Sequence, residues 1–322
     1  AVLSGDGNRV AVSFPHHSDS KFIQRGLVQV YEYKNSSWKQ VGNDFLGTKR
    51  RALLGHHFSV DLSTNGSVLA IGDMRDHGNT GCVRVYQEIS GNWSQLGPDI
   101  NGGAIDDKFG ETVSLSGNGT TLVASASEGN GSVGYVRTFY LSKGNWTAGT
   151  KLVADPGYCY FGYPTSISEN ASRIVIGSSS YIGDGVECNQ FDYLSEENEG
   201  MVRVFEHSGD NWVEMGPGFF GEPGGVFGSA VALSGDGSTL AVGNYYHDGN
   251  GQDAGFSRLF HYACGNWSQA GNDLFGVDAA DWFGHAVSLS YNGERFAVGS
   301  PTDMLIPQND SGTAIIYGNK FY

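Results

Sequence analysis

Three features of the 322-residue sequence predict an all-β fold of the β-propeller class. A Leu-Ser or Ile-Ser pair recurs six times, and a small or β-branched apolar residue follows the first residue of each pair nine positions later. A motif similar to Val-Arg-Val-Tyr also recurs six times, and a Trp follows five of these copies after seven positions. Glycine is abundant, at 49 residues, as many tight turns between short strands require. Because both intervals are constant, we expect one structural unit repeated along the chain.

Alternation of apolar and polar residues predicts four strands in each copy. In the fifth copy, VALSGDGSTLAVG alternates on both sides of Ser-Gly-Asp-Gly, which predicts a β-hairpin with a tight turn. The Val-Arg-Val-Tyr motif gives a third strand, and the Trp segment gives a fourth after a short turn. A single four-stranded sheet cannot bury both faces, so the copies are expected to pack face to face as the blades of a propeller. The leucines and isoleucine of the pairs are Leu3, Leu62, Leu115, Ile167, Leu233 and Leu289; the third strands contain Tyr31, Tyr86, Phe139, Phe205, Phe260 and Tyr317; and the fourth contain Trp38, Trp93, Trp146, Trp212 and Trp267.

The repeats divide the chain into six predicted blades of a single domain, 1–322. The sequence ends before the Trp strand of the last copy, so we expect the sixth blade to lack its outer strand. The first blade is expected to have a shortened inner strand. An unpaired third strand would expose its hydrogen-bonding groups, so flanking sequence, a seventh blade or a neighbouring molecule is expected to cover it. The predicted repeats are 1–47, 56–101, 109–152, 161–219, 227–274 and 283–322.

Charge and composition exclude two classes of function. The formal charge is −15 with only 19 Lys and Arg residues, and such a surface repels a nucleic-acid backbone. No apolar run approaches the roughly 20 residues of a membrane-spanning helix, so we expect no direct insertion into a membrane. Nine Asn-X-Ser/Thr acceptors indicate a secretory route, N-linked glycans and an extracellular or cell-surface location. The acceptors are Asn35, Asn65, Asn92, Asn118, Asn130, Asn145, Asn170, Asn266 and Asn309.

The order Phe-Gly, Leu-Ser hairpin, Ala-Val-Gly resembles the FG-GAP type of propeller repeat, a family that includes the head domains of integrin α-subunits. The likeness covers nearly the whole chain, with Phe58-Ser59 taken as the second copy's version of Phe-Gly. It implies a β-propeller fold and says little about function. The Phe-Gly pairs begin at Phe109, Phe161, Phe227 and Phe283.

The integrin-like version of the repeat carries an Asp-x-Asp-x-Asp-Gly calcium loop between its first and second strands. A calcium ion needs six or more oxygen ligands, whereas the hairpin Ser4-Gly5-Asp6-Gly7 offers one acidic residue. We therefore predict no metal and no cofactor at the hairpins. The segments DMRDHG and YYHDGNGQD retain enough acidic and histidine residues to hold a cation loosely.

The connection between the second and third strands varies most among the copies. The interval from the Leu-Ser or Ile-Ser pair to the third-strand aromatic residue is 24 residues in copies two and three. In copy four it is 38 residues. Variable loops on a constant scaffold usually carry binding specificity, and in the resembling family these loops share one face of the propeller. Each residue alone is typical of a solvated loop, but together they suit contact with carbohydrate or protein. The candidates are His16, His17, Asp73, Arg75, Asp76, His77, Tyr181, Asp184, Tyr245, Tyr246, His247 and Asp248.

No motif predicts catalysis: His-Glu-x-x-His, Gly-x-Ser-x-Gly and the phosphate-binding loop are all missing from the sequence. An Arg recurs in the third strand, and a repeated residue cannot form one unique catalytic site. We expect it to make a hydrogen bond or ion pair between blades. Trp282 and the pair His56-His57 are not repeated, but an aromatic or polar filler explains them. The recurring residues are Arg84, Arg137, Arg203 and Arg258.

Four cysteines are present. Cys159 and Cys188 both belong to copy four, and we predict a disulfide between them that ties the long loop to its own blade. Cys82 takes a third-strand position where other copies have apolar residues, which indicates a small buried side chain. Cys264 lies in the turn before a Trp strand and is expected to be free or bonded to another chain.

These observations favour a glycosylated, non-enzymatic binding or scaffold module in surface adhesion or an extracellular assembly. Its expected partners are other extracellular proteins or glycans. The alternative is a lectin or a glycan-active enzyme that uses the loop face. Two converging carboxylates at the channel mouth would favour the enzyme, whereas an apolar or Tyr-rich patch would favour the binding module.

Overall fold

A computed structural model describes residues 1–129, 131–154, 157–181, 188, 199–209, 211–301 and 312–318. The chain separates into two compact units, Ala1–Val153 and Ala154–Tyr322, which we describe one at a time. Both units consist of antiparallel sheets, and the described residues include one short helical turn, α1 (Asp76–Asn79). No helix in the described ranges has the length and apolar character needed to cross a membrane.

The first unit contains three blades. Blade 1 has strands β1 (Val2–Leu3), β2 (Arg9–Phe14), β3 (Leu27–Lys34) and β4 (Ser37–Gln40), and β5 (Phe45–Leu46) also pairs with β3. Blade 2 has β6 (Val60–Leu62), β7 (Val68–Asp73), β8 (Cys82–Ile89) and β9 (Asn92–Gln95), with β10 (Ile100–Asn101) paired to β8 and α1 between β7 and β8. Blade 3 has β11 (Val113–Leu115), β12 (Thr121–Ala126), β13 (Tyr135–Ser142) and β14 (Asn145–Val153).

The second unit also contains three blades. Blade 4 has β16 (Thr165–Ile167), β17 (Arg173–Ser178), β19 (Met201–Ser208) and β20 (Asn211–Glu214), with β21 (Phe219–Phe220) paired to β19. A separate ribbon joins β15 (Tyr158–Cys159) to β18 (Ser180–Tyr181). Blade 5 has β22 (Ala230–Leu233), β23 (Thr239–Asn244), β24 (Phe256–Ala263) and β25 (Asn266–Gln269), with β26 (Leu274–Phe275) paired to β24. Blade 6 has β27 (Ala286–Leu289), β28 (Arg295–Ser300) and β29 (Thr313–Gly318).

The repeat intervals correspond directly to strand positions, and the predicted all-β propeller class with six blades is confirmed. Every leucine or isoleucine of the Leu-Ser pairs is the last residue of the first strand of its blade. The five Trp residues all lie in fourth strands. Among the described residues, the sixth blade has three strands, and β1 of the first blade is only two residues long. That residues 1–322 form one single domain stays a prediction.

Apolar residues of neighbouring blades interlock within each unit. In the first unit, Val28 of blade 1 belongs to one buried cluster with Leu69 of blade 2, and Val83 of blade 2 to another with Leu122 of blade 3. In the second unit, one cluster joins blades 4 and 5 and another joins blades 5 and 6. Each fully buried side chain of this kind contributes about 1.5–3 kcal/mol. The second strands β7, β12, β17 and β23 are buried along nearly their whole length.

The Ser-x-Asp-Gly hairpin turns are held by their own side chains. In blade 5, Asp236 Oδ1 accepts hydrogen bonds from Ser234 Oγ at 2.6 Å and from the Ser238 N–H at 2.9 Å. Gly237 adopts a φ of 74°, which favours glycine. The carboxylate thus acts within its turn, as the sequence predicted. The Asp236 N–H also donates to the Tyr291 carbonyl in the next hairpin, 3.0 Å away.

The second copy of the Phe-Gly motif is not where the sequence analysis put it. Leu54, and not Phe58, bridges Gly26 of the preceding blade in the way that Phe109 bridges Gly81. The Gly55 N–H donates to Gly72 just as the Gly110 N–H donates to Ser125. The two extra residues His56 and His57 separate this Leu-Gly pair from its strand, which is why a fixed spacing missed it.

Candidate functional site

Each sheet has two distinct ends. Because the strands are antiparallel, the turn between strands one and two shares one end with the turn between strands three and four, which we call the hairpin end. The connection between strands two and three and the one that leads to the next blade lie at the opposite end, which we call the loop end. Asp184 and the side chain of Tyr181 fall outside the described residues. The other predicted ligand-binding residues all lie at loop ends: His16, His17, Asp73, Arg75, Asp76, His77, Tyr245, Tyr246, His247 and Asp248.

At the loop end of blade 2, Arg84 gathers three carboxylates. Its Nη2 lies 2.5 Å from Asp76 Oδ2, its Nε donates to Asp99 Oδ2 at 2.9 Å, and its Nη1 lies 3.9 Å from Asp73 Oδ2. Burial opposes the ionisation of Asp76, but the bonds from Arg84 and the His77 N–H outweigh it and lower the pKa of Asp76. This carboxylate is therefore ionised and paired.

Asp73 differs from its neighbours because it is almost fully buried while the Arg84 guanidinium comes no closer than 3.9 Å. Its side chain is 1% exposed, and neither carboxylate oxygen accepts a well-formed hydrogen bond. Burial, followed by the negative charge of Asp76, raises the pKa of Asp73 from 3.8 to about 6. A buried carboxylate that is only partly compensated lowers stability, so ionised Asp73 imposes a cost on the fold at neutral pH.

One group at this end has the spacing of a metal site among the described residues. Oxygen, nitrogen and sulfur atoms of Asp76, His77 and Cys82 lie within 4.8 Å of one another. The Arg84 guanidinium already pairs with the Asp76 carboxylate, and burial raises the pKa of the Cys82 thiol, so the thiolate that a metal needs is disfavoured. The arrangement fits an internal ion pair better than a metal centre.

Three histidines meet at the loop end between blades 1 and 2. The ring centroids of His56 and His57 are 3.7 Å apart, and those of His16 and His56 are 6.0 Å apart. Burial, assisted by the charges of His57 and His16, lowers the pKa of His56 to about 4. His56 Nδ1 is buried without a hydrogen-bond partner. His56 is therefore neutral at physiological pH.

An aromatic patch forms at the loop end between blades 5 and 6. The Tyr245 ring lies 4.4 Å from that of Tyr246, 6.1 Å from that of Trp282 and 5.1 Å from that of His285. Burial raises the pKa of Tyr245 and lowers that of His285, so both are neutral. The sequence had named the two tyrosines but had treated Trp282 as a filler and overlooked His285. Only the topology brings the connection before blade 6 beside the loop of blade 5.

In blades 2, 4 and 5 the recurring third-strand Arg makes an ion pair, as predicted, but within its own blade rather than between blades. Arg84 pairs with Asp99, and Arg258 Nη2 lies 2.6 Å from Asp273 Oδ2. Arg203 pairs instead with Glu214. The acid lies in or just after the fourth strand of the same sheet, a position that the strand pattern alone did not identify.

The cysteine predictions are confirmed for the described residues. Cys159 and Cys188 form a disulfide, with Cα atoms 5.5 Å apart. Cys82 is buried, and Cys264 is exposed in the turn that precedes β25.

The described glycosylation acceptors share one location. All seven are exposed, and each lies in a hairpin-end turn or is the first residue of a fourth strand. Asn130 and Asn309, which follow second strands in the sequence, fall outside the described residues. The seven are Asn35, Asn65, Asn92, Asn118, Asn145, Asn170 and Asn266.

Comparison with known proteins supports the repeat type and the fold. The FG-GAP repeat family matches residues 221–258. No curated protein sequence matches the chain. Among solved structures, hydrazine synthase of Kuenenia stuttgartiensis is similar at a TM-score of 0.61 and 10% identity, over 98% of this chain and 82% of that one.

Two further structures are also similar. A putative 6-phosphogluconolactonase of Bacteroides uniformis matches at a TM-score of 0.57 and 12% identity, over 100% of this chain and 86% of that one. A putative 6-phosphogluconolactonase of Bacteroides fragilis matches at a TM-score of 0.57 and 14% identity, over 93% of this chain and 76% of that one. At these identities the likeness concerns the fold alone. The matched repeat, together with six blades of one pattern, supports an FG-GAP type of β-propeller repeat in this chain.

Proposed function

We propose that this protein is an extracellular, N-glycosylated binding or scaffold module that contacts its partner through the loop ends of its blades. The partner is another extracellular protein or a glycan, in surface adhesion or a larger extracellular assembly. The FG-GAP propeller fold is consistent with a binding module, and the disulfide is compatible with an oxidising compartment.

The observation that carries this proposal is the separation of glycan acceptors from varied side chains. All seven described acceptors are at hairpin ends, where each copy repeats the same turn. The loop ends carry the residues that differ between copies, such as His16, Arg75 and Tyr246. Glycans at one end of each sheet would leave the other end accessible to a macromolecule.

The aromatic patch supports binding over catalysis. Tyr and Trp side chains supply large contact areas at low entropic cost, and they are enriched where proteins meet their partners. The two carboxylates that come together in blade 2, Asp73 and Asp76, have pKa values displaced in opposite directions, which is a feature of some acid–base catalysts. Asp73 is 1% exposed, however, so a substrate could not reach it. We therefore favour a binding module over a glycan-active enzyme.

A pair of engineered glycans tests the proposal within one blade. Asp248→Asn with Asn250→Thr creates an acceptor at the loop end of blade 5, whereas Asp236→Asn creates one at its hairpin end by completing Asn-Gly-Ser. Both proteins are labelled at Cys264 and applied to the extracellular surface of the source cells. We expect the loop-end glycan to abolish binding and the hairpin-end glycan to leave it unchanged.

Peptide mapping of the native protein supplies the second part of the test. It should find N-glycans on several of the seven described acceptors. A native protein of bare polypeptide mass would refute the secretory assignment, and equal binding by both engineered proteins would refute the role of the loop ends.

A further inference from the structure

A groove with a volume of about 420 Å³ lies between blades 4 and 5, along their fourth-strand edges. One wall is the segment that follows β20, and the other is the turn and start of β25. The groove is separate from the loop-end residues described above. Its lining includes Glu206, Met215, Phe219, Tyr262, Asn266 and Trp267.

In the first unit, the corresponding position is closed between blades 1 and 2 and between blades 2 and 3. The Trp93 indole Nε1 donates to the Val41 carbonyl at 3.0 Å, and the Trp146 indole donates to that of Leu96 at 2.9 Å. A Cβ placed on Gly42 would lie only 2.7 Å from Trp93 Cδ1, so ring and backbone are in close contact there. In blades 2 and 3 the Trp is therefore hydrogen-bonded to the outer edge of the preceding blade.

Between blades 4 and 5 the corresponding Trp267 does not make this hydrogen bond. Trp267 is 9% exposed, and its Nε1 is buried with no hydrogen-bond partner. Gly216 corresponds to Gly42 in the repeat, yet a Cβ placed on Gly216 would have no atom within 4 Å, so the ring does not contact it. A buried indole donor without an acceptor is unusual in a folded protein. The Trp267 indole N–H is thus a hydrogen-bond donor without an acceptor, in a residue that lines the groove.

Two changes in the repeat, Gly218 in place of Asp and Glu214 in place of Gln, explain the opening. Asp99 and Asp273 follow fourth strands, and each binds both the third-strand Arg and a fourth-strand Gln of its blade. Blade 4 has Gly218 at this position, and Glu214 replaces the Gln and pairs with Arg203. The segment after β20 in blade 4 therefore lacks this carboxylate. In blades 2 and 5 the carboxylate holds the corresponding segment to the third-strand Arg and the fourth-strand Gln.

The walls of the groove are aromatic and their charges are compensated. The rings of Tyr262 and Trp267 lie 5.2 Å apart, and Phe219 meets Trp267 edge-on at 6.4 Å. Glu206 accepts a bond from Arg173 at 3.0 Å, and Glu214 is paired with Arg203. A charged ligand would gain no unpaired opposite charge here. The groove fits a neutral molecule that has an apolar face, an oxygen acceptor and hydroxyl groups.

We propose that this groove is a saccharide site and that its occupant is the proximal sugar of an N-glycan on Asn266. A pyranose ring offers an apolar C–H face to an aromatic ring, oxygens to the indole donor and hydroxyls to the Glu206 carboxylate. This inference rests on the proposed function, because it requires passage through a glycosylating compartment.

The position of Asn266 favours this sugar over a free one. Asn266 is exposed, belongs to an Asn-Trp-Ser acceptor and is itself part of the groove lining. A covalent tether of this length gives the attached sugar an effective concentration on the order of millimolar, so even weak stacking fills the site. The matched acceptors Asn92 and Asn145 precede Trp93 and Trp146, whose indole N–H groups are already bonded to the preceding blade.

The test compares Asn266→Gln with Asn92→Gln in the glycosylated protein. The readout is the indole N–H resonance of each Trp, assigned by Trp267→Phe and Trp93→Phe. We expect loss of the Asn266 glycan to shift the Trp267 resonance and to increase its hydrogen-exchange rate at least tenfold. Loss of the Asn92 glycan should leave the Trp93 resonance unchanged.

A second variant closes the groove without touching the acceptor. Glu214→Gln with Gly218→Asp restores the Gln and Asp of blades 2 and 5 and should make the Trp267 resonance insensitive to glycan removal. An Asn266 side chain that carries no sugar, or a Trp267 resonance that ignores its removal, would overturn the inference. Glycans at the other acceptors in either case would leave the proposed function intact.

Discussion

The indole Nε1 of Trp93 donates a hydrogen bond to the backbone carbonyl of Val41 in the neighbouring blade, at 3.0 Å. This contact joins two residues 52 positions apart and recurs between Trp146 and Leu96. In blades 2 and 3 the Trp that marks the repeat in the sequence therefore fastens its blade to the preceding one. In blade 5 the same Trp makes no such bond.

Replacing Trp93 and Trp267 one at a time should show how much the hydrogen bond between blades contributes to stability. Trp93→Phe removes a hydrogen bond and part of a packed ring, and we expect it to lower the free energy of unfolding by about 1–3 kcal/mol. Trp267→Phe, in protein whose N-glycans have been removed, loses no bond and should cost less. Urea unfolding of both variants and the parent measures the difference. An equal loss at both positions would show that the hydrogen bond contributes little.

Asp73→Asn should stabilise the protein at neutral pH. Its pKa rises from 3.8 to about 6 on folding, so the folded state binds more protons than the unfolded state between these values. Stability contributed by the protonated form is present at low pH and is lost as pH rises through about 4 to 6. The cost above pH 6 is roughly 3 kcal/mol at 1.36 kcal/mol per pKa unit, as an upper limit.

The measurement is urea unfolding of Asp73→Asn and the parent at pH 5 and pH 7.5. We expect the variant's advantage to be larger at pH 7.5. Lys49, Arg75, Asp76 and Arg84 also bear on this carboxylate and are the same in both proteins. Asp99→Asn is the control, because it removes the ion pair with Arg84 and should lower stability at pH 7.5. A variant that loses stability at pH 7.5 would contradict the assignment.

His56 should act in the opposite direction. Its pKa falls from 6.5 to about 4 on folding, so the unfolded state binds more protons between these values. Its contribution is present above pH 6.5 and is lost as pH falls toward 4. His56→Gln should therefore reduce the loss of stability on acidification from pH 7 to pH 5. A steeper loss in the variant would mean that His56 gains a proton in the folded state.

The thiols should react in a fixed order. Cys264 is exposed, whereas Cys82 is buried and its pKa is raised by burial, so a thiol reagent should label one site in the native protein. Denaturation should reveal a second thiol, and reduction two more from Cys159 and Cys188. Intact mass after each step gives the count. Labelling of Cys82 under native conditions would contradict its placement in the core.

The sequence predicted the strands well because each strand's position follows from a short, repeated pattern. The end of every first strand coincides with the Leu-Ser or Ile-Ser pair, from Leu3 to Leu289. Turn chemistry also transferred correctly, since the Asp236 carboxylate accepts hydrogen bonds within its own turn. Local patterns of this kind depend on neighbours in sequence, which a single chain displays directly.

The site was predicted only in part because its contacts are between copies. Tyr245 was named from its own loop, but the ring of His285 that lies 5.1 Å away belongs to the connection before the next blade. Leu54 was missed because two inserted histidines broke a fixed spacing. The partner acid of Arg84 was placed in the wrong blade, because spacing along a strand does not show which neighbour a long side chain reaches.

The hairpin turns of adjacent blades are connected peptide to peptide, as Asp236 and Tyr291 illustrate, and Asp6 and Thr64 form the same bond in the first unit at 2.9 Å. Arg9 and Arg173 reinforce the link by donating to Gly66 and Gly237 in the next turn. A mechanical load on one blade would therefore pass into its neighbour through backbone groups and not through mobile side chains alone. Within each unit, three blades should resist pulling as one element and give way in a single step.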